Sequence, residues 1–387
     1  MFQGDLPVVK RVTVIGCGFA ALTAIRTLRA HDKNIEITVV CPEPEFVFLP
    51  SLIWIPSGLR ASKDVLVPLD DFFRRMDVIH HAGMAIGLEE EGRILHTDTG
   101  AVENDGLIIA SGARYMKKLP GIEHAIIPCE GISSAEAVRN RLKGLSEGAI
   151  AIGFAGNPKE PAAVRGGPMF EFLFGIDNQL KRENRRDRFD LVFFNPMREP
   201  GQRLGAKAVA GLKSTMAKRG IGMRLGHKMK GFEPKRVITE GGEIEADLML
   251  FLPGMTGLSW YADTELPLSP GGFVRADAKC RVEGRERIYV AGDAGSFPGP
   301  DWLPKQAHLA DLQAACAARN LLAELNAREP AAAFRTELVC VIDDLETGIL
   351  VARTPKHSII LPPMRAMHWS KVFFEKRYLR KYRSNMR

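Results

Sequence analysis

No stretch of this 387-residue chain stays apolar for the roughly 18 residues that a membrane-spanning helix needs, so an α-helical span is excluded. Cysteine is sparse and scattered. The six residues Cys17, Cys41, Cys129, Cys280, Cys316 and Cys340 include no C-x-x-C pair. That spacing fits neither a zinc site nor a small disulfide scaffold, no metal is expected, and only a catalytic pair distant in sequence stays open. The start, MFQGDLPVVK, lacks a basic segment followed by an apolar signal core. The chain is therefore expected to be cytoplasmic, either soluble or peripheral on the inner membrane face. A generally basic surface is missing too. The net charge is +7, but Arg365, Lys371, Lys376, Arg377, Arg380, Lys381, Arg383 and Arg387 set against Glu375 already account for it. The rest is balanced, and nucleic-acid binding is not expected of a protein whose basicity is one terminal patch.

What is present is an ordinary globular composition, 45% hydrophobic and 26% charged. The length suggests two domains of about 100–200 residues each. The segment RVTVIGCGFAALTAIRTLRA reads as strand, glycine turn and helix. Gly16 permits the tight turn, Gly18 lets the backbone approach a pyrophosphate, and Ala21 allows the helix to pack closely on the strand. The helix N-terminus offers free N–H groups and the positive end of its dipole. A second strand, IEITVV, follows, but the acid that usually closes it to hold a ribose is replaced by Cys41; Glu43, two positions on, is the substitute. Two further strands support the pattern: DGLIIASGA, leaving the sheet at Ala110-Ser111-Gly112, and ERIYVAGDAGSF, ending in Gly292-Asp293. Asp293 is placed to accept hydrogen bonds from a sugar-like hydroxyl.

The order VIGCGFAA, LIIASGA, IYVAGDA resembles the flavoprotein disulfide-reductase superfamily built on two dinucleotide folds. Within it the chain resembles the sulfide:quinone oxidoreductases and their flavocytochrome relatives. The likeness is carried by FVFLPSLIWIPSG, GGPMFEF, DWLPKQAHLADLQA and the terminal HWSKVFFEKRYLRKYR, and it covers nearly the whole chain. It implies an α/β protein with two Rossmann-like domains. A split FAD domain would comprise residues 1–115 and 250–325, a degenerate second domain residues 116–249, and a membrane-associating C-terminal segment residues 326–387. It also implies FAD contacts from Gly16, Gly18, Phe19, Ala20, Glu43, Pro50, Ala85, Ala110, Gly112, Gly292, Asp293, Lys305 and Gln306.

Superfamily members that oxidise NADH carry a second glycine fingerprint and a second ribose-binding acid. Here IAIGFAGNPKEPAAVRGGPMFEF has no G-x-G-x-x-G, is stiffened by Pro158 and Pro161, and the next strand, FDLVFFNP, ends in Asn195. That backbone is a poor pyrophosphate cradle, so the second fold reads as a retained scaffold. Electrons must then come from elsewhere, and the resemblance implies sulfide or a related sulfur substrate. Taking two electrons from HS⁻ leaves zero-valent sulfur, which a cysteine must hold as a persulfide. Cys340 in TELVCVIDDLETG matches the family's C-terminal redox cysteine, against the alternative of a buried strand residue. Cys129 resembles an additional cysteine of that family. The family's central cysteine is absent, because aligning AVRGGPMFEF puts Arg165 or its neighbour there. Either Cys340 works alone or with Cys129, or Arg165 holds an anionic substrate such as an organic persulfide or a carboxylate.

Lys305, at the start of the helix in DWLPKQAHLADLQA, is expected beside the flavin's pyrimidine edge, with Gln306 and His308 in reach of a quinone carbonyl. The tail interleaves Trp369, Val372, Phe373, Phe374, Tyr378, Leu379 and Tyr382 with its cations. Residues 369, 372, 373 and 379 are expected on one apolar face that lies in a bilayer surface and meets a lipid quinone. The alternatives are a flavoprotein subunit serving a cytochrome partner, a type II NADH dehydrogenase, and a non-catalytic FAD-binding sensor. A homo-oligomer stays open.

Overall fold

The computed structural model describes residues 9–383. The first residues of the N-terminal stretch and Arg387 of the tail lie outside them. A first parallel sheet of five strands runs in the order Ile288–Val290, Gly106–Ile109, Arg11–Ile15, Glu36–Cys41, Val78–Ala82. Its inner strands are mostly apolar because both faces are covered. All four residues of Gly106–Ile109 are buried. The helix Phe19–His31 packs against Ala307–Leu325. Small residues at the contact, among them Ala21, Ala24, Ala314 and Ala317, let the two backbones approach closely. The strand Ile288–Val290, far along the chain, closes one edge of this sheet.

A second parallel sheet of four strands has the order Gly222–Leu225, Phe189–Asn195, Gly148–Phe154, Leu248–Leu252. It is covered by the helix Gly167–Arg182, whose first half is almost wholly buried. In parallel sheets of this kind the crevices beyond the carboxyl ends of the strands are where ligands bind. The chain ends in an antiparallel sheet, Leu338–Asp343, Gly348–Arg353 and Ser358–Ile360, and a helix, Arg365–Leu379, packed on it. The fold is thus α/β with two dinucleotide-type sheets.

The last helix corrects the expected apolar face. Val372 and Leu379 point into the protein. So do Tyr378 and Tyr382, which join the ring cluster of Phe19, Phe46, Phe48 and Phe72. Trp369, Phe373 and Phe374 stay 63%, 60% and 68% exposed. The helix straddles two surroundings, and its apolar residues divide between them. Lys371 also turns inward, and Arg60 ties the helix down by donating to Glu375 while stacking over Trp54. Among the described residues no helix is long and apolar enough to cross a membrane.

Candidate active site

One continuous cleft of about 2600 Å³ lies between the two sheets and the C-terminal segment. That is several times the roughly 300–1,000 Å³ of an ordinary small-molecule pocket. It is lined by Gly16, Gly18, Phe19, Ala20, Pro50, Ala85, Ala110, Gly112, Cys129, Gly292, Asp293, Lys305, Gln306 and Cys340, residues drawn from segments scattered along the chain. Glu43 is the exception. It is exposed and does not line the cleft; its backbone carbonyl accepts from the thiols of Cys17 and Cys41. Its neighbours Cys41 and Pro42 do line the cleft.

The first crevice is shaped for a phosphate-bearing ligand. Gly16 sits at φ +106° with its α-carbon against the next strand, where a Cβ would fall 2.6 Å from the Ala110 carbonyl oxygen. At Gly18 a Cβ would meet no protein atom within 4 Å. The helix that starts at Phe19 has neither a side-chain cap nor an acid in its first turn, so its N–H groups and dipole face the opening uncompensated. Beside it, Gln306 caps the helix Ala307–Leu325, and its Nε2 is buried with no partner within the protein. A buried orphan donor of this kind is expected where a ligand acceptor completes the site. These residues fit a dinucleotide such as FAD.

Lys305 and Asp293 are more engaged than the sequence suggests. Lys305 Nζ donates to the carbonyls of Asp293 (2.9 Å) and Gly295 (2.7 Å) and lies 4.0 Å from the centre of the Phe273 ring. Burial pulls its pKa down to about 8. The Asp293 carboxylate accepts from Arg165, which crosses over from the second fold. Burial works against the Arg165 charge, yet Asp293 holds the guanidinium fully protonated. His308 is paired with Glu337 (2.7 Å).

At the far end the cleft meets the cysteines. In the second fold the strand Gly148–Phe154 does not run straight into its helix. The loop between them folds on itself: buried Asn157 donates to the carbonyls of Met255 (2.9 Å) and Gly271 (3.2 Å). Asn195, where a ribose acid would stand, donates to the Phe154 carbonyl at 2.8 Å. The helix starting at Gly167 then aims its N-terminus elsewhere. A Cβ on Gly167 would lie 3.7 Å from Cys340 Sγ. A thiolate is favoured at such a helix end, although burial pushes the thiols of both Cys340 and Cys129 up to about 12.

Both cysteines feel the same buried ion pair, Glu171 with Lys371. Glu171 also accepts from the Asp343 backbone N–H (2.9 Å), and burial raises its pKa to about 7 despite the ammonium beside it. Lys371 is buried, yet Glu171 holds its pKa above the ordinary value. Behind them Asp343 accepts from Trp54 Nε1 (2.9 Å) and pairs with His368 (2.7 Å). Sequence reasoning missed this pair. Glu171 stood in the GGPMFEF motif as an acid inside an apolar helix start, which was the available signal; Lys371 looked like one more tail cation.

Comparison with known proteins decides the family. The pyridine nucleotide-disulphide oxidoreductase model matches residues 10–314. The chain belongs to that family. It is therefore an oxidoreductase, and its cofactor is FAD. Within this family it is 25% identical to the sulfide-quinone reductase of Aquifex aeolicus, over 97% of this chain and 91% of that protein. The crystal structure of the Aquifex enzyme superposes with a TM-score of 0.89 at 22% identity, covering 97% and 92% of the two chains. NDH2 of Plasmodium falciparum, solved with NADH, shares the fold at a TM-score of 0.74 and 12% identity, covering 95% and 94%.

Proposed function

We propose that this flavoprotein takes two electrons from sulfide or a related sulfur compound and delivers them to a membrane quinone. The observation that carries the reading is the placement of Cys340: in the cleft, at the N-terminus of the Gly167 helix, beside the Glu171–Lys371 pair. Bound FAD, held by the Gly16–Ala20 turn, Gly292 and Gln306, supplies the two-electron relay between the sulfur and the acceptor. The protein's own residues manage sulfur and protons. Oxidation of HS⁻ by two electrons releases one proton and leaves zero-valent sulfur, which the Cys340 thiolate holds as a persulfide. Burial and the Glu171 carboxylate disfavour that thiolate while Lys371 favours it, so when Glu171, buried with a pKa near neutrality, accepts the proton, the balance shifts toward the thiolate. Cys129 stands beside the same pair and serves as the second sulfur.

The exposed side of the last helix supports a lipid-borne acceptor. Trp369, Phe373 and Phe374 project among exposed Arg365, Lys376, Arg377 and Arg380, the composition of a helix lying in a bilayer interface. Phe374 also lines the cleft, so a quinone entering from the bilayer arrives at its mouth. Such a surface would sit on the inner membrane face. The test is anaerobic: sulfide, and separately NADH, is added to the purified yellow protein while its visible absorbance is followed. Bleaching by sulfide that is lost in Cys340→Ser supports the reading; bleaching by NADH alone overturns it. Reoxidation by short-chain quinones, rather than by a copurifying cytochrome, identifies the acceptor.

A further inference from the structure

Arg165, at or next to the position where a cysteine was expected, is not free, because Asp293 holds it. Two further cations of this cleft that lack an acid partner lie where the second fold meets the C-terminal sheet. Arg203 donates only to backbone carbonyls, those of Val164 (2.7 Å), Ala162 (2.8 Å) and Leu303, and its Nε is buried without any partner. Burial alone pulls its pKa down to about 10, since no carboxylate stands close enough to offset it. Arg353 donates to the Arg203 carbonyl at 2.9 Å, and its guanidinium lies over Trp302, 4.6 Å from the ring centre. Among the described residues neither arginine makes an ion pair. The acids lining this end are Asp301, exposed on the rim, and Glu337, next to Leu338 and paired with His308.

Strand register connects these arginines to the sulfur chemistry. In the C-terminal sheet Leu338 is opposite Arg353 and Cys340 is opposite Val351. Directly opposed residues of an antiparallel pair share a face, and so do residues two apart on one strand. Arg353 and Cys340 therefore project from the same face as diagonal neighbours, roughly 7–8 Å apart at their backbones, and both line the cleft. A small molecule with an anionic group at one end and sulfur at the other would reach both residues from within the cleft.

We propose that Arg353 and Arg203 form a subsite for the carboxylate of a small organic thiol or persulfide, which places that molecule's sulfur at Cys340. The inference rests on the sulfur-oxidising reading and names its substrate class. Planar guanidinium groups suit a carboxylate, and desolvated arginines gain most from one. The second fold has thereby exchanged a nucleotide cradle for an anion clamp facing the hairpin.

The test reads binding rather than turnover. Titration calorimetry on the oxidised, FAD-loaded protein compares 3-mercaptopropionate with its neutral amide, 3-mercaptopropionamide. The acid is expected to bind at least about tenfold more tightly, the scale of a charge-assisted hydrogen bond in a partly dry site. Arg353→Gln is expected to remove most of that preference, with the visible flavin spectrum showing that the variant has folded. Arg203 ties three carbonyls together and is the riskier substitution, so the wild-type comparison of acid and amide carries the weight if Arg203→Gln fails to fold. Absence of acid binding, equal binding of acid and amide, or an acid affinity unchanged in Arg353→Gln would overturn the subsite. Tight NADPH binding that depends on Arg353 would overturn it in favour of a nucleotide site. If the acid binds as expected but sulfide fails to bleach the flavin, the sulfide reading falls and the carboxylate subsite stands.

Discussion

The two parallel sheets of this protein are built alike and end differently. In the first, the strand Arg11–Ile15 passes through Gly16 and Gly18 directly into a helix, leaving N–H groups and open space where phosphates are bound. In the second, the strand Gly148–Phe154 is separated from its helix by a loop that Asn157 ties to the backbone of residues 255 and 271, and Asn195 closes the neighbouring strand end onto Phe154. The same architecture thus ends once in a glycine turn that opens onto free N–H groups and once in a loop tied back onto the backbone. The difference lies in a few residues at the strand exits. The freed helix N-terminus of the second fold is turned to a cysteine instead.

The strongest way to break this comparison is at the first exit. Gly16→Val would force a β-branched side chain into a positive φ and against the Ala110 carbonyl, so the protein should purify colourless, without FAD, as its visible spectrum would show. Next, Cys340→Ser should keep its yellow colour but lose sulfide-driven bleaching by at least about 100-fold in stopped-flow absorbance, since no thiol then receives the sulfur at the second helix. Replacing Trp369, Phe373 and Phe374 together by Ser should weaken sedimentation with anionic vesicles by at least about tenfold and leave bound FAD unchanged, because on the proposed membrane-facing reading each ring would bury apolar surface in the interface.

A smaller effect comes from Glu171. Its folded pKa is raised from 4.5 to about 7, so the stability it contributes is fully present below about pH 4.5 and is lost as the pH rises through 7. Urea unfolding at pH 5 and pH 8 should show a loss on the order of 1–3 kcal/mol that is missing in Glu171→Gln. A slope of equal size in the variant would mean that another group carries it. The smallest expected effect concerns the closed scaffold itself. NADH should bleach the flavin no faster than buffer, and Asn195→Asp, which restores an acid at the second strand end, should not change that.

Much of the first fold was legible because its determinants are contiguous. Strand, glycine turn and helix follow one another within one short stretch, and turn chemistry is local. The degenerate second exit was legible for the same reason, from Pro158, Pro161 and Asn195. The sequence could not say how Glu43 faces, because a position two residues beyond a strand does not fix the direction of its side chain. The tail was half legible: its mixture of rings and cations was visible, but Val372, Tyr378, Leu379 and Lys371 had a competing surface inside the protein.

What the sequence by itself determined is local: a strand, glycine turn and helix at Gly16–Ala20, a second strand exit without that fingerprint, and a cysteine within a C-terminal strand. What only the tertiary structure decided is the charge pairing of the site. Arg165 meets Asp293 across 128 residues of chain, and Lys371 meets Glu171 across 200, while Arg203 and Arg353 meet no acid. Whether a cation is free to bind a substrate depends on which distant segment folds against it, and the electrostatics of a buried group are fixed by neighbours that local sequence does not contain.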